Sequence, residues 1–366
     1  MTAQRDVELF LRAHFEATAD RTVADGQVDA ILATTVGRRQ QPAWLASLRS
    51  LPMSNTARTL GRPMSAPAWV LLLILALLIA VAAVGLTVGG FRLAPAPIVN
   101  GPIVFGRFDA SVDDTVIHIA RPDGSDTHIF LPGANECPQF SPDGRQIAVA
   151  MKVVNVDGTD PRLLDNTVGD VTLGCSTWSP DGQRLAAEGW NENDPTDNGI
   201  YLVNASDGRD AIRLTTNGKG NNDIPGDFSP DGRQLGYLHH VSDSVATLWV
   251  VDVATGNGRQ VVSTQVDSTP TWSPDGQWLL VDAGDHFLVM HPDGTDPRTL
   301  NVPASVGWLG DPQYSPDGTR ILFHMALDGS DKNDIYTMRV DGTDLVQITD
   351  TPEVTEYFTD WGIDPR

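Results

Sequence analysis

The sequence predicts an all-β fold, a six-bladed β-propeller, preceded by one transmembrane helix and a short helical N-terminal tail. Three observations lead to this prediction. The tetrapeptide Ser-Pro-Asp-Gly recurs five times at similar spacing. A tryptophan stands at the matching place of a further, unfinished repeat near the C-terminus. A long apolar stretch without charge separates these repeats from the N-terminal part of the chain.

Residues 1–62 are predicted to form a cytoplasmic tail with two short helices. Apolar side chains recur at helical spacing in residues 5–18 and again in residues 22–35. The order of tail, span and outer domain resembles membrane-bound anti-sigma factors, which suggests a cytoplasmic protein partner. The tail has one histidine and no cysteine, so the common zinc-binding version is excluded. A helical hairpin without a signalling role is the alternative.

Residues 63–90 are predicted to form a transmembrane helix. The stretch Ala68–Val88 carries no charge and would be about 31 Å long as a helix, which matches the hydrocarbon core of a bilayer. The arginine excess in the tail places the N-terminus in the cytoplasm and the rest of the chain outside the bacterial cytoplasmic membrane. The flanking arginines before the span are Arg38, Arg39, Arg49, Arg58 and Arg62. A proline-containing tether, residues 91–101, is expected to follow.

The repeats of residues 102–366 have the length of propeller blades. An aromatic residue precedes every Ser-Pro-Asp-Gly copy, and successive aromatics are 38, 50, 44 and 42 residues apart. These aromatics are Phe140, Trp178, Phe228, Trp272 and Tyr314. Such a period accommodates four short strands in each blade. The turn chemistry is consistent, because proline presets φ, aspartate bonds to nearby backbone and glycine accepts positive φ.

The two ends of the repeat region are expected to share one blade. Residues 102–107 match the second strand of a repeat but lack a strand before them, whereas Trp361 takes the aromatic position and few residues follow it. The C-terminal strand should therefore complete the first blade and close the ring, which removes open sheet edges. One repeat is unusual. Residues 141–178 show no turn signal between the second and third strands, so this blade is expected to be irregular or to lack a strand.

The aromatic-Ser-Pro-Asp-Gly motif and the later Asp-Gly turns resemble the TolB-like β-propeller repeat over about residues 102–366. The resemblance implies a protein-docking platform of the kind that the periplasmic TolB propeller provides. It therefore suggests a membrane-anchored, extracytoplasmic binding or sensing module that takes a protein or a small ligand. A transmembrane regulator acting through the tail, of anti-sigma type, is one alternative. A metal-dependent enzyme with its site in the propeller channel is another.

The charge of the chain argues against nucleic-acid binding, and the absence of common catalytic motifs argues against an enzyme. The chain has 366 residues and a net charge of −22, yet residues 1–66 hold eight arginines and only six acidic residues. The acidic excess therefore lies in the propeller, which would repel nucleic acid. No Gly-x-Ser-x-Gly, His-Glu-x-x-His or phosphate-binding glycine loop occurs. We therefore expect no enzymatic activity and no cofactor other than calcium.

Two sets of ionisable residues occupy matching positions in several repeats. One set lies five residues before the motif aromatic, and the other lies six residues after the motif glycine. Because the first and second strands of a blade are antiparallel, both sets are expected at the same mouth of the ring. The members are Asp223, Asp267 and Glu356 in the first set, and Glu188, Asp282 and His324 in the second. Such a mouth could hold a hard cation such as calcium or receive a basic peptide. A solvated acidic rim is the alternative.

The only two cysteines also hold matching positions. Cys137 lies three residues before Phe140, and Cys175 lies three residues before Trp178. Equivalent points on the innermost strands of neighbouring blades come close together, so a disulfide between them is predicted. A pair of buried free thiols is the alternative.

Overall fold

The computed structural model describes residues 98–365, apart from residues 110–113, 133–136, 218–220, 243–244, 305, 331 and 352. These residues form six antiparallel sheets in chain order, which confirms the predicted all-β six-bladed propeller. The predicted tail, the transmembrane helix and most of the tether lie in residues 1–97, outside the described residues. Within the described part of the chain, no helix is long and apolar enough to cross a membrane.

Each blade is one sheet whose strands are ordered from the axis outwards. Blade 1 contains β25 (Glu356–Ile363), β1 (Asn100–Asp109), β2 (Asp114–Ala120) and β3 (His128–Leu131). Blade 2 contains β4 (Pro138–Phe140), β5 (Gln146–Val149), β6 (Lys152–Asn155) and β7 (Arg162–Leu163). Blade 3 contains β9 (Val171–Trp178), β10 (Arg184–Trp190), β11 (Gly199–Asn204) and β12 (Ile212–Arg213), with β8 (Thr167–Val168) paired to the inner side of β9.

The remaining blades each contain four strands. Blade 4 contains β13 (Asp223–Phe228), β14 (Gln234–Ser242), β15 (Val245–Asp252) and β16 (Gly258–Gln260). Blade 5 contains β17 (Thr271–Trp272), β18 (Leu279–Asp282), β19 (Phe287–Met290) and β20 (Arg298–Leu300). Blade 6 contains β21 (Val306–Tyr314), β22 (Arg320–Leu327), β23 (Asp334–Arg339) and β24 (Val346–Gln347).

The Ser-Pro-Asp-Gly motif forms the same turn in all five copies. In blade 4 the Ser229 hydroxyl donates to Asp231 at 2.7 Å and accepts from the Gln234 backbone N–H at 3.0 Å. Gly232 adopts a φ of +71°, which glycine tolerates without strain. The buried serine thus joins the turn to the start of the second strand. These turns all lie at one end of the propeller, which we call the turn face; the opposite end is the mouth.

The C-terminal strand β25 lies innermost in blade 1 and pairs with β1. Trp361 is opposite Ile103 in this ladder, and its indole N–H donates to the Gly101 carbonyl at 3.1 Å. The two ends of the propeller therefore share one sheet. Because β1 begins beside the turn of blade 6, where the Asp317 N–H donates to the Asn100 side chain, the chain enters the propeller at the turn face.

Blade 2 contains four strands, and a turn joins the second strand to the third. The expectation that this blade lacks a strand is therefore wrong. The turn is formed by Ala150 and Met151 alone, with Ala150 at a φ of +48°. Neither residue is typical of such a turn, which is why the sequence does not reveal it. β4, β5 and β6 have only three, four and four residues, but the matching strands of blade 5 are as short, so strand length does not mark blade 2 as irregular.

The core lies between the blades. Among the described residues, six clusters of buried apolar side chains occur, one for each pair of neighbouring blades. The motif tryptophans Trp178, Trp272 and Trp361 are each buried in one of these clusters. Each blade is thus stabilised mainly by its neighbours, as expected for stacked repeats that cannot bury both faces alone.

Candidate ligand-binding site at the propeller axis

A cavity of about 320 Å³ lies on the propeller axis towards the mouth. All six innermost strands, or the segments that lead into them, contribute to its wall. Its upper wall, which we call the outer ring, has one residue from each blade, three positions before the motif aromatic. The outer ring consists of Cys137, Cys175, Pro225, Thr269, Asp311 and Phe358. Three of its members, Cys137, Asp311 and Phe358, adopt positive φ values, so the innermost strands are irregular at this level.

A second ring lies deeper, at the position directly before each motif aromatic. This inner ring consists of Gln139, Thr177, Asp227, Thr271, Gln313 and Asp360, all of them polar. The Thr177 hydroxyl donates to Gln139 Oε1 at 2.8 Å. The Thr271 hydroxyl lies 2.6 Å from Asp227 Oδ2 and 3.1 Å from Gln313 Oε1. Gln139, Thr177 and Gln313 line the cavity, so the inner ring forms its polar floor.

The two aspartates of the inner ring are held in a poorly solvated place. Burial raises the pKa of Asp360 to about 7, and the negative charge of Asp227 adds to the effect, although the Phe140 N–H donates to its carboxylate at 2.6 Å. Burial also raises the pKa of Asp227, against hydrogen bonds from Thr271, the Trp272 N–H and Gln139. Both carboxyl groups therefore resist ionisation more than a surface aspartate does.

Three carboxylates face the cavity above this floor. They belong to Glu188 on β10, Asp267 before β17, and Asp311 on β21. Glu188 accepts from Asn222 Nδ2 at 2.8 Å, and Asp311 Oδ2 accepts from the Phe358 N–H at 3.2 Å. Among the described residues that line the cavity there is no lysine or arginine. The cavity is therefore suited to a cationic group.

Asp223 and Glu356, by contrast, are paired within their own blades. Asp223 accepts from His239 Nδ1 at 2.8 Å, and Glu356 accepts from Arg107 at 2.6 Å. Both carboxylates are almost fully buried, and each faces its partner on the adjacent strand at the same register position. Glu356 is also bound by the Thr349 hydroxyl. Of the predicted first set, only Asp267 lines the axial cavity.

Asp282 and His324 are also buried, in blades 5 and 6. Burial raises the pKa of Asp282 to about 7, with smaller contributions from the charges of Asp267 and Asp311 and an opposing hydrogen bond from the Gly284 N–H. Burial lowers the pKa of His324, whose ring is tilted against that of Trp308 with the ring centres 4.8 Å apart. His324 Nδ1 lies 3.6 Å from Asp311 Oδ2.

The structure thus brings only part of the predicted cation site together. Glu188 and Asp267 line one cavity, while the other predicted members lie within the blades around it. Among the described residues, no group of three histidine, cysteine, aspartate or glutamate side chains has the arrangement needed to hold one metal ion. The calcium site therefore stays a prediction.

The two cysteines lie on the wall of the same cavity. The structure joins Cys137 and Cys175 in a disulfide, with their Cα atoms 5.6 Å apart, within the range that disulfides require. The bridge connects the innermost strands of blades 2 and 3. Next to it, the Trp178 indole N–H donates to the Gln139 carbonyl at 3.2 Å, so the disulfide reinforces an existing contact between these blades.

Sequence reasoning did not identify the inner ring or Asp311. A signal for the inner ring was present, because the residue before the motif aromatic is polar in every blade although the residues around it are mostly apolar or small. For Asp311 the signal is weak. Its position matches those of the two cysteines, but the matching residues of the other blades are proline, threonine and phenylalanine.

Comparisons with known proteins agree with the fold. Residues 123–286 match the family described as the TolB beta propeller domain. An uncharacterized protein of Agrobacterium fabrum is 28% identical over 217 residues, which cover 53% of this chain and 71% of that protein. Together with solved structures of the same architecture, these findings support a TolB-like β-propeller domain, as the motif predicted.

Several solved structures share the architecture. A protein described as a TolB of Agrobacterium tumefaciens is similar with a TM-score of 0.53 and 17% identity, over 74% of this chain and 99% of that chain. TolB from Acinetobacter baumannii is similar with a TM-score of 0.57 and 16% identity, over 72% and 66% of the two chains. A nidogen–laminin complex contains a chain with a TM-score of 0.55 and 11% identity, over 72% and 98%. At these identities the likeness shows the fold alone.

Proposed function

We propose that this chain is a membrane-anchored docking module whose propeller binds a basic segment of a partner protein at the axial cavity. The observation that carries the proposal is the set of three carboxylates, Glu188, Asp267 and Asp311, around a cavity without a basic lining residue. Each would gain an opposite charge when a lysine or arginine side chain enters. The nidogen–laminin structure, which has the same fold, is that of a protein complex, and this is consistent with a docking role.

The chain's own geometry favours access from the mouth. The cavity opens on the face opposite to the one where the chain enters the propeller, because β1 starts at the turn face. The carboxylates are therefore approached from the end of the propeller opposite to Asn100. The anchoring part of the proposal rests on Ala68–Val88, and the extracytoplasmic placement rests on the arginines before it. Protease added to intact spheroplasts should cut the propeller and spare the tail; the reverse result would contradict the placement.

The binding experiment uses a fluorescent peptide of alternating arginine and serine, about 12 residues long and about 40 Å when extended. The full-length chain in mild detergent is compared with a triple variant, Glu188→Gln, Asp267→Asn and Asp311→Asn. These changes keep size and hydrogen-bond acceptors, and asparagine also tolerates the positive φ of residue 311. Loss of three partly solvated charge pairs should cost about 1–3 kcal/mol, so the Kd should rise about 5- to 150-fold.

A matched control separates the cavity from the overall acidity of the propeller. The variant Asp157→Asn, Asp293→Asn and Asp341→Asn removes the same number of charges from exposed turns at the turn face. Long-range attraction is screened within about 8 Å at physiological salt, so this control should bind nearly as well as the parent chain. Equal losses in both variants, or no binding of the arginine peptide to the parent chain, would refute the proposal.

A further inference from the structure

The blades differ in height at the mouth, and the difference has a pattern. The second strands run from the turn face to the mouth and contain ten, four, seven, nine, four and eight residues in blades 1 to 6. The innermost strands show the same division, with three residues in blade 2 and two in blade 5 against six to nine in the other blades. Blades 2 and 5 are therefore the short ones.

The missing length lies at the mouth. The second strands of blades 2 to 6 all begin two or three residues after the motif glycine, so they start at the same level beside the turn face. The second strands of blades 2 and 5 end five and six residues after the motif glycine, whereas those of blades 3, 4 and 6 end eight to ten residues after it. The smallest difference is therefore two residues, or about 7 Å. Blade 2 ends in the turn of Ala150 and Met151, and blade 5 ends in residues 283–286.

Blades 2 and 5 also face each other across the axis. The six blades follow one another around the ring in chain order, so blade 5 stands three places from blade 2 in either direction. Among the described residues, the two low hairpins on opposite sides give the mouth the shape of a path instead of a circular rim. Blades 3 and 4 form one wall of this path, and blades 6 and 1 form the other. The axial cavity lies in the middle.

We propose that the mouth is a trough that binds an extended, arginine-containing peptide segment running over blade 2, across the axial cavity and over blade 5. This inference rests on the proposed function and specifies the shape of the ligand. An extended segment fits because the path has two exits, whereas a single side chain or a small cation would need only the cavity. Trp308, on the innermost strand of blade 6, leaves 47% of its surface exposed at this end of the blade. An exposed tryptophan face favours arginine as the cationic group.

The charge of the trough selects the same ligand. Glu188 projects from the wall formed by blade 3, and Asp311 from the wall formed by blade 6, while Asp267 lies at the entrance to blade 5. Carboxylates on both sides of the path can meet alternate side chains of an extended strand, which point in opposite directions. An acidic peptide of equal length would meet repulsion at each of these positions.

The test raises one low blade without changing any charge. Inserting Ser-Thr-Asn-Gly between Gly284 and Asp285 lengthens the hairpin of β18 and β19 and closes the exit over blade 5. The matched control carries the same insertion after Ser242, at the tip of the already tall blade 4. Thermal melting of both full-length variants establishes that they fold. The probe is the alternating arginine-serine peptide, beside a shortened version of about four residues that can fill the cavity alone.

We expect the blade 5 insertion to weaken binding of the long peptide at least about tenfold and to leave the short peptide unchanged, while the blade 4 insertion alters neither. We also expect the long peptide to bind more tightly than the short one. If the charge-neutralised cavity variant loses binding but the blade 5 insertion does not, the trough is refuted and the docking cavity stands. If neither peptide binds the parent chain, both proposals fail.

Discussion

Replacing Asp360 with asparagine should stabilise the propeller at and above neutral pH. Asp360 belongs to the inner ring, where burial and the charge of Asp227 raise its pKa to about 7. In the unfolded chain the same group titrates near its ordinary value of 3.8. A carboxyl group with a raised pKa in the folded state costs no stability while it is protonated in both states, and it destabilises the folded state once it ionises. Its effect on stability therefore becomes increasingly unfavourable as the pH rises from about 4 to about 7, and it is then constant.

The expected gain in the free energy of unfolding follows from the raised pKa of Asp360. About three pKa units correspond to about 4 kcal/mol at pH 8 for a fully sequestered group. Asp360 is only half-buried by surface area, so water screens part of this cost, and we expect about 1–2 kcal/mol. Asparagine keeps the acceptor for the Phe140 N–H and has no charge to bury. For a domain of this size, a gain of 1–2 kcal/mol raises the Tm by about 3–6 °C.

The assay is thermal melting of the full-length parent chain and the Asp360→Asn variant from pH 4 to pH 9. The difference in Tm should be largest above pH 7 and should shrink towards pH 4. Asp231→Asn provides a control of opposite sign, because the Ser229 hydroxyl and the Arg233 N–H lower the pKa of Asp231. That variant should not gain stability at any pH. A constant Tm difference for Asp360→Asn across the whole range would refute the reasoning.

Further predictions concern the ring, the cysteines and the cavity. Deleting residues 355–366 removes β25 and its buried tryptophan, whose truncation alone costs about 3–5 kcal/mol, so the shortened chain should aggregate or lose most of its stability; melting like the parent chain would contradict ring closure. Mass spectrometry of a non-reduced digest should find Cys137 linked to Cys175, and reduction should cost about 3–4 kcal/mol for this 38-residue separation; unlinked peptides from thiol-trapped protein would exclude the bridge. Millimolar calcium should raise the Tm, because ligand at a hundredfold excess over Kd adds about 2.7 kcal/mol to the free energy of unfolding. The Asp267→Asn variant should show a smaller rise in Tm. Identical melting curves with and without calcium would favour a solvated rim. The arginine peptide should bind more tightly as the pH rises through 7, because the pKa of Asp282 is about 7 beside the cavity; affinity that falls over this range would oppose the role of carboxylates.

The number of blades could be predicted because five blades contain the same Ser-Pro-Asp-Gly turn and Trp361 marks the sixth. Ser229, Asp231 and Gly232 have interdependent roles in their turn, so the tetrapeptide marks its position unambiguously. The matching positions of Cys137 and Cys175 follow from the same repeat. Features that the repeat fixes were thus readable from spacing alone.

Other features depend on register or on turns without a sequence signature. The hairpin at Ala150 requires positive φ from a residue that rarely adopts it, and therefore leaves no visible turn signal. Asp223 and Glu356 looked like members of an open mouth because their partners, His239 and Arg107, stand on adjacent strands whose ladders contain bulges. Spacing places a carboxylate at one end of the ring, but only the register shows which side chain neutralises it.

Stability and binding make opposite demands on the carboxyl groups near the axis. Asp282 and Asp360 each have a pKa of about 7, so the unliganded propeller carries the cost of burying charge whenever the pH exceeds that value. A cationic group in the axial cavity would favour the ionised form of the same residues and offset that cost, because opposite charges lower a carboxyl pKa. Ligand binding should then be strongest under the conditions that strain the empty propeller most. An apolar residue at either position would avoid that cost but would leave the N–H of Phe140 or of Gly284 without its carboxylate acceptor, so these two carboxyl groups also serve the fold.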